Sequence, residues 1–269
     1  MKSVLRAFKI VRVLSSYGLD EWLYDARLQP PLRVLKWIAP TAAANRGLER
    51  GVRLRLALQQ LGPLFVKLGQ VLSTRRDLLP ADIADELAGL RDQVQPFDSA
   101  QARAIIERAF NKPVSDLYAR FDDQALASAS IAQVHAAQLH SGREVVVKVL
   151  RPDIEAHIRE DIALMRVLAN WVTRLHPHAE KIRAHDVVSE LESTLLAECD
   201  LQREAANASL MRRLWQDSHE LAVPEVVWEL TQTAVLTLER VYGINADDTA
   251  ELDRLGIDRK ALAAERRAG

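Results

Sequence analysis

Apolar residues recur at helical spacing throughout the first half of the chain. From Met1 to about Ser15, Val4, Phe8 and Val11 fall at i, i+4 and i+7, with Lys2, Arg6 and Lys9 on another face. The pair Pro30 and Pro31, then Pro40, punctuate a short stretch carrying Trp37. A helical pattern from about Arg46 to Gln60 stops at Gly62 and Pro63, a stop followed by a start, and the next helix runs through Lys67 and Gln70. Pro80 opens a helix through Ala84, Leu87 and Leu90, and Ser99 is the expected N-cap of one through Ile105 and Phe110.

The period changes near Gln124. Residues Ile131 to Leu139 and Glu144 to Leu150 are rich in β-branched residues and flank His140-Ser141-Gly142-Arg143, which predicts a hairpin. Pro152 ends the second strand. Two long helices are expected next, about Ile154 to Leu175 and about His185 to Leu214, followed by strands over Pro224 to Trp228 and Val235 to Arg240. A short, charged helical stretch begins at Asp247. The pattern predicts an α+β protein without internal repeats. It divides into an amphipathic segment (1–45), a helical extension (46–122) and a sheet-bearing domain (123–269).

The 269 residues suffice for one or two domains with a real core. Lys+Arg total 36 against Asp+Glu 37, a balance that argues against a dedicated nucleic-acid binder. Cys199 is the single cysteine, so there is no disulfide framework, which fits a reducing compartment. No apolar run reaches membrane-span length, and Arg6, Lys9 and Arg12 interrupt any secretory signal. The expectation is a cytoplasmic protein, soluble or peripheral on the inner face of the cytoplasmic membrane. Its basic N-terminal helix either lies on an anionic surface or packs on the domain.

Alternation places Lys148 on the same strand face as Val146 and Leu150. A lysine there is costly to bury unless a carboxylate or phosphate meets it; the alternative is an edge lysine pointing to water. Upstream, Ala127-Ser128-Ala129-Ser130-Ile131-Ala132-Gln133-Val134 is a small-residue run at a strand-turn-strand. Such a run lets backbone N–H groups approach a polyphosphate, and its Cβ atoms make it stiffer than a glycine loop. Leu191, Leu195 and Glu198 share one helical stripe, with Glu204 near it; acids in such positions either meet a cation or border the stripe and reach water.

Together these segments resemble the UbiB family of atypical kinase-like proteins, which support ubiquinone biosynthesis. The resemblance lies in Phe65-Val66-Lys67-Leu68-Gly69-Gln70 with Ser73 to Asp77 (the KxGQ segment) and in the alanine-rich loop from Ala127 to His135. It extends through the lysine strand from Val145 to Pro152 and Glu198-Cys199-Asp200 continuing to Asn207 (the ExD segment), then through Val223 to Arg240 leading into a hinge. It implies a helical extension packed on a protein-kinase-like small lobe with an antiparallel sheet. It implies ATP or ADP, with Mg²⁺, as cofactor. Lys148 would contact the α- and β-phosphates, and residues Leu126 to Val134 would cover them. The backbone around Glu239 to Val241 would meet the adenine. Glu198 is the favoured ion-pair partner of Lys148, Glu204 the fallback, with Asp200 in the same segment. Lys67 and Gln70 would fold over the peptide-binding region, implying ATPase or small-molecule chemistry. A polyprenyl lipid and ubiquinone-biosynthesis proteins are the implied partners. Val146 stands where a kinase usually has alanine.

Phosphoryl transfer needs a catalytic-loop aspartate and a metal-binding aspartate. No histidine follows His219, and no Asp-x-Gly triplet occurs. The expectation is therefore the N-terminal half of such a protein, truncated after the hinge, with the large lobe missing, inactive alone and holding no metal site. The rival readings are a non-catalytic, membrane-associated scaffold or regulatory module, and an inert gene fragment. His176-Pro177-His178 reads as a solvated loop, and Cys199 as a packed residue.

Overall fold

Three helices enclose the first part of the core: α1 (Arg50–Leu61), α2 (Pro63–Thr74) and α3 (Ala81–Ala88). The structure is a computed structural model and describes residues 9–10, 12–19, 45, 47–74, 79–90, 95–175, 183–218, 221–244 and 248–259. Leu58, Leu61, Leu64, Phe65, Ile83 and Leu87 are buried where the helices meet. A Cβ on Gly69 would lie 2.3 Å from Leu90 Cδ1 and 2.8 Å from Leu58 Cδ1, so any larger residue would push these two leucine side chains aside where α2 meets its neighbours. Buried Arg53 donates through Nη1 to the carbonyls of Tyr17 (3.2 Å) and Gly18 (3.1 Å), tying α1 to the segment before it.

Next come α4 (Ser99–Phe110) and α5 (Val114–Leu117), then strands β1 (Arg120–Ser128), β2 (Ala132–Gln138) and β3 (Glu144–Leu150). The cap of α4 is Asp98, one residue before the expected Ser99; its carboxylate accepts from Ala100 N at 3.1 Å. After α6 (Ile154–Leu175), α7 (Ala184–Glu198) and α8 (Leu201–Leu214), strand β4 (Val235–Glu239) completes an antiparallel sheet ordered β1-β2-β3-β4. The chain then enters α9 (Thr249–Arg254). Gly142, at φ 88°, makes the β2–β3 turn and donates to Leu139 O at 2.9 Å.

The sheet separates two apolar layers. Val145, Val147 and Val149 are fully buried against α4 and α5, with Tyr118, Phe121 and Val235. Full burial of each valine is worth roughly 1.5–3 kcal/mol. Within this layer Tyr118 O–H donates to Thr237 Oγ1 (2.8 Å), which itself donates to Leu230 O (2.7 Å); burial pushes the Tyr118 pKa up to about 12. On the other face, Leu150 and Leu236 join Leu191, Leu195 and Leu201 and the α1–α3 helices. Helices α4 and α5, in the stretch read from the sequence as the helical extension, pack on the sheet.

Two expected elements differ. The expected helix over residues 185–214 is two, α7 and α8, because Asp200 breaks it: its carboxylate accepts from Gln202 N at 3.1 Å and caps a new helix. Leu201 N donates to Thr233 O at 2.9 Å, which anchors the break beside β4. Residues 224–228 form no strand. They make one bridge, Val226 to Leu238, before a 3₁₀ turn at Trp228–Leu230 redirects the chain. The N-terminal apolar positions Val4, Phe8 and Val11, the Trp37 stretch, Arg75 to Asp77, His176 to His178 and residues 260–269 lie outside the described residues. Among those described, no helix is long and apolar enough to cross a membrane.

Candidate functional site

Lys148 sits in mid-β3, opposite Val134 on β2 and Leu236 on β4. Strict alternation sends it to the face away from the buried valines, beside Val134, Val146 and Leu238, all only partly covered. Its Nζ donates to both carboxylate oxygens of Glu204, at 2.8 and 2.7 Å. Of the two glutamates singled out from the sequence, the structure therefore brings Glu204, not Glu198, to the strand lysine. The helix break is the reason. Restarting at Asp200 re-aims α8, so Leu201 and Ala205 bury against the core and Glu204 faces the sheet.

Glu198, the last residue of α7, turns the other way and pairs with Lys67 Nζ on α2 at 2.6 Å. One turn from Lys67, Gln70 Nε2 donates to Leu90 O at 3.1 Å, just beyond α3. The Lys67-x-Gly69-Gln70 run thus does three things on one helix: the lysine ties α2 to α7, the glycine allows close packing, and the glutamine holds the end of α3. Cys199, between the two ion pairs, is buried; desolvation first, then the neighbouring Glu155 and Glu198 charges, raise its thiol pKa to about 11.

The small-residue run is a tight corner between β1 and β2. Leu126, Ala127 and Ser128 end β1, Ala129 N donates to Ala132 O at 2.8 Å across the turn, and Ser130, Ile131 and Ala132 are buried. Register shifts between Phe121 and Ala127 mark bulges in β1 as it approaches the corner, a common device for re-aiming a strand beside a site. Gln133 is fully buried and its side chain is not on the Lys148 face. Its Oε1 accepts from Phe97 N (3.0 Å) and its Nε2 bonds His135 Nε2 (2.8 Å). His135 Nδ1 in turn donates to Asp122 O (2.8 Å), so Nε2 is the acceptor nitrogen of a neutral ring. Burial depresses the His135 pKa, opposed by the Asp122 carbonyl and the charges of Asp123 and Asp122.

The sequence reading placed Arg151 inside the lysine-strand segment from Val145 to Pro152 and gave it no role of its own. In the structure it donates to Ser128 Oγ, Ala129 O and Gln95 O, so it belongs to the loop's support. The available signal was a cation placed directly after an apolar strand. At the other end of the sheet, Glu239 closes β4; its carboxylate accepts from Glu225 N and lies near Arg143 and Arg212, while Val241 beyond it is exposed. Among the described residues no group of three or more His, Cys, Asp or Glu side chains converges as a metal site.

The chain matches the ABC1 atypical kinase-like domain over residues 89–266. It is 58% identical over 271 residues to the probable protein kinase UbiB of Xanthomonas oryzae pv. oryzae (strain MAFF 311018), an alignment covering 98% of this chain and 49% of that protein. To the probable protein kinase UbiB of Xylella fastidiosa (strain 9a5c) it is 56% identical over 266 residues, covering 98% and 48%. It spans about half the length of the curated relatives it matches. Among solved structures, the Rv3197–erythromycin complex from Mycobacterium tuberculosis matches at a TM-score of 0.52 and 27% identity, covering 76% of this chain and 50% of that one. A helical unit, a four-stranded antiparallel sheet and this structural likeness agree with the sequence match: this chain belongs to the family of ABC1 atypical kinase-like domains, and it carries the kinase-like small lobe of a UbiB-type protein.

Proposed function

We propose that this chain is an adenine-nucleotide-binding portion of a UbiB-like atypical kinase or ATPase. The observation that carries the reading is the Lys148–Glu204 pair set in an otherwise apolar strand face. A cation held by a carboxylate at one point is preorganised for phosphate oxygens, and the half-covered Val134, Val146 and Leu238 offer a flat apolar surface for a purine. The corner from Leu126 to Val134 covers the phosphates, and the chain from Glu239 to Val241 meets the adenine edge. Lys67, Gln70, Glu198 and Asp200 hold the helical extension and the restarted helix around that site.

These 269 residues contain no Asp-x-Gly triplet and no histidine after His219. We therefore assign them binding without turnover. The link to ubiquinone biosynthesis, to its proteins and to a polyprenyl lipid at a membrane surface is supported by the family resemblance.

The test is titration of the chain with the fluorescent nucleotide MANT-ADP. Saturable binding is expected, weakened at least about tenfold by Lys148→Ala, the equivalent of roughly 1.4 kcal/mol. No saturable binding by the unaltered chain, or equal affinity after Lys148→Ala, overturns the reading.

A further inference from the structure

The corner between β1 and β2 is held from behind by one side chain. Arg151 follows β3 directly, and its own N–H donates to Ile131 O at 2.8 Å, extending the ladder to the corner. Its Nε donates to Ala129 O at 3.0 Å, and Nη2 donates to Ser128 Oγ at 2.7 Å and to Gln95 O at 2.8 Å. The guanidinium carbon also lies 5.6 Å from the centre of the Phe97 ring. Among the described residues these partners are all neutral, so the contacts serve geometry. Burial lowers its pKa from the usual arginine value, because desolvation disfavours the charged form.

Gln95 and Phe97 belong to the stretch between the α1–α3 unit and α4. The stretch is gripped a second time by Gln133, whose Oε1 accepts from Phe97 N at 3.0 Å. The corner and this connecting stretch are thus cross-linked twice, once through each side of the β2–β3 pair. A planar fork suits the task, since two of its nitrogens reach three acceptors on two separate chain segments.

We propose that Arg151 is a positioning residue: it sets the conformation of the Ser128–Ala129 corner by fixing it to the Gln95–Phe97 stretch. The consequence for affinity rests on the nucleotide reading above; the consequence for corner geometry does not. An ammonium lacks the fork, so Arg151→Lys keeps the charge and loses the positioning.

The experiment compares the unaltered chain with Arg151→Lys and Arg151→Ala by hydrogen–deuterium exchange, thermal melting and MANT-ADP titration. Amide exchange at residues 128–132 is expected to accelerate about tenfold in both variants, and MANT-ADP affinity to fall about tenfold, a difference of roughly 1.4 kcal/mol. Exchange over Val145 to Val149 and the melting temperature should barely move, whereas a merely structural arginine would speed exchange across the whole lobe. Unchanged exchange at the corner in a folded variant, or full recovery by Arg151→Lys, overturns the proposal. If the unaltered chain binds no MANT-ADP, the nucleotide reading falls and corner exchange still decides the positioning role. If both variants fail to fold, Ser128→Ala, which removes only the hydroxyl contact, should give a smaller acceleration confined to the corner; no acceleration there refutes the role.

Discussion

Lys67 on α2 and Glu198 at the end of α7 meet at 2.6 Å, across a sequence separation that no local pattern links. Six residues after Glu198, on a helix that restarts at Asp200, Glu204 holds Lys148. Two ion pairs thus flank one helix break, one facing the helical unit and the other the sheet. Both are partly exposed, at 21% and 36% for Lys67 and Glu198, so each is a small contribution to stability. A double-mutant cycle of Lys67→Ala and Glu198→Ala should give a coupling of about 0.2–1 kcal/mol in denaturant unfolding, reduced at high salt. A coupling near zero would mean the pair does not hold α2 to α7.

Lys148→Ala and Glu204→Ala should separate function from stability. The Lys148 side chain is 30% exposed and that of Glu204 45%, so each variant should cost no more than about 1 kcal/mol and shift Tm by only about 2–4 °C. Nucleotide affinity should drop far more in Lys148→Ala. A large loss of Tm would recast the pair as a structural element.

His135 makes the lobe acid-sensitive. Its folded-state pKa lies below the ordinary value because the ring is buried, with Phe121 stacked 4.9 Å away and Asp122, Asp123 and Arg103 as the charged neighbours. A depressed base binds its proton more readily when unfolded. Its contribution is therefore complete above the unfolded value near 6.5 and is lost as pH falls from there toward the lower folded value. Protonation also sets an Nε2–H against the Gln133 amide. Melting curves from pH 8 to 5 should fall less steeply for His135→Gln than for the unaltered chain. Parallel curves would contradict the assignment.

Cys199 should be inert in the folded chain. With its pKa raised to about 11, the thiolate fraction at pH 8 is about one in a thousand, and the side chain is buried besides. Ellman's reagent should react slowly with native protein and rapidly in denaturant. Fast native labelling would show that the α7–α8 break opens.

Gly69→Ala places a methyl group 2.3 Å from Leu90 Cδ1 and 2.8 Å from Leu58 Cδ1. Both are ends of flexible side chains, so the helices adjust at a cost of about 1–3 kcal/mol rather than unfolding outright. Chemical denaturation would measure it. An unchanged midpoint would show that the α1–α3 packing has slack at this point.

Much of the fold was legible in local pattern, because periodicity and punctuation report which face of an element is apolar. Residues 140–143 read as a turn and the structure pairs Glu144–Leu150 with Ala132–Gln138 across it. The helix over Ile154–Leu175 and the stop and start at Gly62 and Pro63 were equally readable. Alternation alone also put Lys148 opposite the buried valines, and the small-residue run marked a corner. Which carboxylate meets Lys148 was not legible. Apolar stripes continue through Cys199 and Asp200, so the chain reads as one helix, and only the Asp200 cap together with the Leu201–Thr233 anchor turns Glu204 toward the sheet and leaves Glu198 for Lys67. The same holds for Arg151 and Gln133. Their acceptors lie on segments far apart in sequence, and a hydrogen bond between distant segments is decided by packing, which no periodicity encodes.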